Sequence, residues 1–269
     1  MLKQRFITGI ILAPLVIAGF VLLDSLWFAV MVGAIVTLAA WEWARLAGIT
    51  AQVGRVAYAG LVALLLIGLY LASWPPYLLW LSLLWWLLAL VLVLQYPEGR
   101  ALRAGLLPLA YGLAVLLPAW AGLVWLRAQN GGLWLLLAAV VMVWAADIGA
   151  YFAGKSLGKR KLMPRVSPGK TLEGLLGGVL LTQLLAVGAM LYLNWSASSI
   201  LAGMLGTLVV VLFSVVGDLT ESLFKREQGL KDSSNLLPGH GGIMDRIDSL
   251  TAAIPLFALG WFLFGSLLG

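Results

Sequence analysis

The chain of 269 residues has no cysteine, a single histidine and few charged side chains. Without cysteine there are no disulfides and no Cys-based metal or redox centres. With His240 alone, a two-histidine zinc site within one chain is excluded as well. Charged residues make up 10% of the sequence, against roughly 25% in an ordinary soluble domain, while 62% of it is hydrophobic. No globular core absorbs so much apolar surface. Lipid does, and apolar runs near 20 residues long are what a bilayer requires of its helices.

Nine such runs can be separated, at about 6–23, 25–46, 56–73, 77–95, 104–126, 132–153, 173–193, 198–224 and 248–267. Each satisfies its backbone internally only as a helix. The breaks are Asp24-Ser25, Trp74-Pro75-Pro76, Pro97-Glu98-Gly99, Asn130-Gly131-Gly132 and Ser196-Ala197-Ser198. The first run follows Lys3 and Arg5, as in a secretory signal, but it is long for one and no small-x-small cleavage site follows it. It reads as a retained helix. Alternating the runs across a membrane puts 16 of the 17 basic residues on one side and Arg127 alone on the other. The positive-inside rule makes the basic side cytoplasmic. The expected fold is therefore all-α: a polytopic integral membrane protein of about nine transmembrane helices, with its N-terminus cytoplasmic and its C-terminus outside. Trp41, Trp43, Trp74, Trp125 and Trp195 fall near the expected interfaces.

Residues 1–140 have short loops and little polarity, and read as membrane-embedded N-terminal and middle helices. Residues 141–269 hold two longer cytoplasmic loops and most of the acidic groups, and read as the catalytic region. No internal repeat is evident, which argues against an inverted-repeat transporter.

Ionisable groups inside a membrane are costly and mark function. Asp147 lies about two turns from the cytoplasmic end of the sixth run, and Asp218 at a similar depth in the eighth. Glu221, Ser222 and Lys225 follow Asp218 on one helical face, a pattern that an amphipathic helix exit also gives. In the loop beyond, Pro238, Gly239, Gly241 and Gly242 supply a tight backbone whose N–H groups can approach phosphate oxygens. Asp245 and Asp248 point one way from the start of the last helix. Carboxylates from two helix ends, beside several Lys and Arg, suit a hard divalent cation shared with a phosphorylated ligand. Helix capping explains one of the two aspartates and leaves the other charges over. His240 reads as a general acid, a phosphate donor or a satisfied loop residue, and direct catalysis is the less expected role because phosphate oxyanions already make adequate nucleophiles. In the other loop, Ser167-Pro168-Gly169-Lys170-Thr171-Leu172-Glu173-Gly174 is more particular than a belt of charge against anionic lipid, although such a belt also accounts for its basic residues.

Ser222-x-Phe224-Lys225-Arg226, Lys231-Asp232 and Pro238-Gly239-His240-Gly241-Gly242-x-x-Asp245-Arg246-x-Asp248 together resemble the signature of phosphatidate cytidylyltransferases, the CDP-diacylglycerol synthases. Asp147 in its helix and the Ser167–Gly174 stretch resemble further elements of that family. The resemblance implies transfer of a cytidylyl group from CTP to phosphatidic acid, giving CDP-diacylglycerol and pyrophosphate. It also implies Mg²⁺, with a second, monovalent cation such as K⁺ as an option, a homodimer in contact with membrane lipid, and no nucleic acid. The location it implies is a bacterial inner membrane, with the site facing the cytoplasm. On this basis Asp218, Lys225, Arg226, Asp245 and Asp248 are expected to be catalytic. Ser167, Lys170, Thr171, Glu173, Ser222, Lys231, Asp232, His240, Gly241, Gly242 and Arg246 are expected to bind substrate, and Asp218, Asp245, Asp248 and Asp147 to bind metal. The nearest alternatives are a CTP-dependent lipid-alcohol kinase and, outside enzymes, a secondary transporter.

Overall fold

A computed structural model describes residues 14–73 and 77–268. Lys3, Arg5, most of the first apolar run and the Trp74-Pro75-Pro76 break lie outside the described residues. Helix α1 is described over residues 14–22. The helices that follow are α2 (Ser25–Leu46), α3 (Gln52–Leu71), α4 (Tyr77–Leu94), α5 (Leu107–Ala128), α6 (Gly132–Leu157), α7 (Leu172–Tyr192), α8 (Ala197–Glu227) and α9 (Met244–Leu268). Eight of these, α2 to α9, are long and apolar enough to cross a bilayer. They match eight of the nine expected runs to within a few residues.

The least marked break in the sequence has a definite cause. Asp24 is the N-cap of α2, and its carboxylate accepts the Trp27 amide at 2.9 Å. Helix α8, with 31 residues, is about 46 Å long, well beyond the ~30 Å hydrocarbon layer. Its last turns, which carry Asp218 to Glu227, therefore reach the level of the polar loops.

The larger of two hydrophobic clusters runs through both halves of the chain. Phe28, Trp43, Trp86, Leu116 and Trp120 from α2, α4 and α5 pack with Leu223, Phe224, Ile254 and Ala258 from α8 and α9. Trp43, expected at an interface, is instead almost fully buried, because its indole N–H reaches the Pro108 carbonyl at 2.7 Å inside the bundle. Helices α6 and α7 pack closely on each other. A Cβ on Gly149 would fall 2.5 Å from the Gly177 carbonyl oxygen, and one on Gly178 would fall 2.6 Å from that of Ala146. Only glycine permits this approach.

The loop between α6 and α7 contains an antiparallel hairpin that the apolar runs did not foretell. Strand β1 (Lys161–Met163) pairs with β2 (Ser167–Thr171), with Lys161 opposite Thr171 and Met163 opposite Ser167. Thr171 ends the strand and N-caps α7, accepting the Gly174 amide at 3.1 Å.

Contacts between loops group the charges by end. Arg45 donates to the Ser233 carbonyl at 3.1 Å, Arg103 pairs with Glu227 at 2.9 Å, and Arg226 donates to the Val166 carbonyl at 3.2 Å. These residues share one end of the bundle. Arg127 donates to the Leu23 carbonyl at the opposite end. These four arginines are thus divided between the two ends as the alternation of helices requires.

Candidate active site

The basic end of the bundle opens into a cavity of about 500 Å³ between α6, β2, α7 and α8. Its polar lining includes Asp147, Lys155, Lys170, Thr171 and Asp218, and its apolar lining includes Leu162, Leu175, Val211 and Val215. Val211, Val215 and Asp218 recur at i, i+4 and i+7, so one face of α8 changes from apolar to acidic towards the polar end.

Lys170 reaches across from β2 to Asp218, with Nζ 2.7 Å from Oδ2, and both side chains remain about a quarter exposed. The hairpin makes this reach possible. Glu173 accepts the Lys159 and Arg160 amides at 3.0 and 3.2 Å, tying the two ends of the hairpin together. Arg226 fastens the hairpin turn to α8 through Val166, and its guanidinium also donates to the Leu230 carbonyl at 2.9 Å. Glu173 and Arg226 therefore shape the site without lining the cavity. Ser222 donates to Asp218 Oδ1 at 3.2 Å, which fixes the other side of that carboxylate.

Behind this open pair lies a closed one. Lys225 donates to Glu221 Oε2 at 2.8 Å and to Asp245 Oδ1 at 2.7 Å. The Glu221 side chain is fully buried and that of Lys225 is 9% exposed. The other oxygen of Asp245 accepts the Ser233 amide at 2.9 Å, the Ser233 hydroxyl at 2.8 Å and the Gly242 amide at 2.7 Å. Asp245 thus organises the signature loop with both oxygens. Asp248 stands between the two groups, partly buried, and feels the charges of Asp218, Lys170, Lys225 and Glu221. Gly217 makes this possible: a Cβ there would lie 2.6 Å from the Asp248 carbonyl oxygen, so α9 could not approach α8.

Two of the glycines expected to cradle phosphate, Gly241 and Gly242, face Asp245 in this structure. The Gly242 N–H points at Asp245, and a Cβ on Gly241 would meet Asp245 Oδ2 at 2.7 Å. Gly241 also adopts φ +81°, a left-handed conformation that favours glycine. His240 sits in the turn closed by Leu237 and Gly241, and its carbonyl accepts from Arg246 at 3.0 Å. Lys231, Asp232 and Arg246 are exposed, and Ser167 begins β2. Of the residues singled out from sequence, the cavity lining gathers Asp147, Lys170, Thr171 and Asp218. The others lie outside that lining, in the hairpin, at the start of α7, on α8, in the loop that follows it and at the start of α9.

The sequence reading passed over Tyr151, Lys155 and Glu42. Lys155 lies 5.6 Å from the centre of the Tyr151 ring, at the cavity. Glu42, near the C-terminal end of α2, is fully buried against the signature loop. A lone carboxylate inside an apolar run was the available signal.

Among the described residues, no three carboxylate or histidine side chains converge as a ready-made metal site. The donor chemistry nevertheless suits a hard cation. Asp147 and Asp218 are oxygen donors at the cavity, with Asp248 behind them, and the Lys170 ammonium already serves as a counter-charge to Asp218.

Comparison with known proteins bears on this geometry. A model of the cytidylyltransferase family matches residues 3–264. The phosphatidate cytidylyltransferase of Pseudomonas aeruginosa is 55% identical over 265 residues, covering 96% of each chain. That of Haemophilus influenzae is 40% identical over 288 residues, 97% of this chain and 99% of its own. That of Bacillus subtilis is 34% identical over 280 residues, 94% and 95% of the two chains. Similarity of this extent takes in every element that builds the cavity and the signature loop, and the chain belongs to the cytidylyltransferase family.

Proposed function

We propose that this chain transfers the cytidylyl group of CTP to phosphatidic acid, releasing pyrophosphate and leaving CDP-diacylglycerol in the membrane. The observation that carries the reading is the cavity itself. It joins a Lys170–Asp218 pair to an apolar wall of Val211, Val215 and Leu175, as one soluble and one lipid substrate require. The full-length similarity to phosphatidate cytidylyltransferases supports the same substrates.

In this reaction an oxygen of the phosphatidic acid phosphate attacks the α-phosphorus of CTP. A P–O bond forms, the bond from the α-phosphorus to the bridging oxygen breaks, and pyrophosphate leaves with the electron pair. An oxyanion nucleophile needs no general base, so the protein's task is placement and neutralisation of charge. Lys170 and Lys155 meet phosphate oxygens, Asp218 holds Lys170 extended into the cavity, and the apolar wall takes the glycerol and upper acyl groups. Asp147, Asp218 and Asp248 would hold Mg²⁺, whose chemistry when bound is neutralisation of the phosphates and the departing pyrophosphate. Lys225, Ser233 and Gly242 occupy both oxygens of Asp245, as Lys170 and Ser222 occupy those of Asp218, so either carboxylate would exchange a partner to take up Mg²⁺. Among the described residues no donor set suggests where a monovalent ion would bind.

A lipid-alcohol kinase would move the γ-phosphoryl group instead, and the full-length relatives do not favour it. A transporter would place its carboxylates near the midplane with access from both faces. Here they gather at one end. The test is pyrophosphate release from CTP by protein in detergent. Release that depends on added phosphatidic acid supports the proposal, and release indifferent to it contradicts it.

Lys170→Ala should lower catalytic efficiency at least tenfold, since one charge-assisted contact contributes about 1.5–3 kcal/mol. Lys159→Ala should do much less, because its backbone amide, not its ammonium, makes the contact to Glu173. Equal and small losses would reduce the hairpin to a lipid-facing charge belt.

The proposal includes a homodimer and a site facing the cytoplasm of a bacterial inner membrane. The division of basic residues between the two ends supports the orientation. A reporter fused to Gly269 should be active outside the cytoplasm. Activity confined to the cytoplasm would contradict nine spans with an inward N-terminus.

A further inference from the structure

Helix α9 begins at Met244 inside the protein, where its first amides need acceptors. They find one about 200 residues upstream. Glu42, fully buried on α2, accepts the Ile243 amide at 3.0 Å and the Met244 amide at 2.6 Å. It also accepts the Ser233 hydroxyl at 3.1 Å and the Ser234 hydroxyl. Its negative charge thus lies at the positive end of the α9 dipole. Gly242 is shaped to this contact, because a Cβ there would fall 2.4 Å from Glu42 Oε1 and 2.1 Å from Ser233 Oγ. On the same side of the loop, Arg45 holds the Ser233 carbonyl.

We propose that Glu42 is a positioning residue for the transfer reaction. It caps α9 from another helix and fixes the loop of residues 233–244, and through that loop it fixes Asp245, Lys225 and the α8–α9 crossing beside Asp218. The inference rests on the functional reading above. Ser233 is the hinge of the argument, because its hydroxyl lies between the Glu42 and Asp245 carboxylates. A shift of Glu42 therefore reaches Asp245 through one shared donor. Glu42 touches no cavity-lining residue in this network, so its effect on substrate is indirect.

The absence of cysteine makes a direct test available. Asn235 is exposed within the loop, and Asn235→Cys introduces a unique site for a spin label in the full-length protein. Glu42→Gln keeps the size but replaces one acceptor oxygen with a donor facing other donors. The spin label at residue 235 should become more mobile. Turnover should fall at least tenfold while KM for CTP stays within about threefold. Glu42→Asp, which keeps the charge, should recover part of both. Ser234→Ala, which removes one donor and leaves the cap charge, should give a smaller change in the same direction, and it carries the comparison if Glu42→Gln fails to insert. An unchanged label spectrum would overturn the anchoring role even if activity fell. A mobile loop with wild-type turnover would overturn the positioning role. The mobility measurement does not depend on the reaction, so failure of the anchor is distinguishable from failure of the functional reading, in which the parent protein would make no CDP-lipid.

Discussion

Asp218→Asn is expected to cut turnover a hundredfold or more, about 3 kcal/mol of barrier, while leaving the protein inserted and folded. The substitution keeps the shape and removes the charge that holds Lys170 at 2.7 Å across the cavity. Both side chains are partly exposed, so the pair contributes little to the fold and its loss is tolerable there. In the site the loss is compounded. Lys170 no longer has a partner that extends it toward phosphate, and the cavity loses one of the oxygen donors for Mg²⁺. Activity and thermal stability in detergent, measured on the same preparation, separate these effects. Full activity of Asp218→Asn, or undiminished wild-type activity in excess EDTA, would contradict the assignment.

Lys225→Met should fail in the opposite way, by loss of folded protein. Lys225 is the cation between a fully buried Glu221 and a nearly buried Asp245. Removing one member of a buried ion pair leaves charge without compensation, at a cost of about 3–5 kcal/mol. Glu221 is worse placed than most such groups, because its Oε1 is already buried without a hydrogen-bond partner. The expected result is a marked drop in the temperature at which the detergent-solubilised protein loses its monodisperse form. Adding Asp245→Asn to Lys225→Met should cost less than the sum of the two single changes, since both act on one interaction. Arg246→Ala, whose guanidinium is exposed and donates to the His240 carbonyl, should change stability little. Equal stability of Lys225→Met and wild type would mean that the cluster contributes nothing to the fold.

The helices were legible because lipid imposes a simple rule on them: each must be long, apolar and internally hydrogen-bonded. Even the division at Asp24 had a readable cause in its capping side chain. The α6–α7 hairpin was not legible. Its strands are three and five residues long and lie in a polar loop, where neither apolar run nor alternation carries a signal. The shared face of Asp218, Ser222 and Lys225 followed from helical spacing, and the structure keeps it. What spacing could not give was which carboxylate meets which cation. Asp218 and Asp245 were expected to meet at one metal, yet each has its own lysine, Lys170 and Lys225. That partition depends on how α9 crosses α8 at Gly217, which is a tertiary fact. Glu42 escaped notice for a related reason. Near the polar end of α2 a single glutamate reads as an interface residue, and its partners lie about 200 positions away.

The central claim is that the cytidylyl group, carried by the α-phosphorus of CTP, passes to the lipid phosphate at the cavity of Asp147, Lys170 and Asp218. The most direct measurement supplies the protein with phosphatidic acid, Mg²⁺ and CTP radiolabelled at either the α- or the γ-phosphorus. The account predicts α-label in a lipid-extractable product and γ-label only in pyrophosphate, with formation of both products suppressed in Asp218→Asn. Appearance of the γ-label in the lipid would mark a kinase and contradict the account.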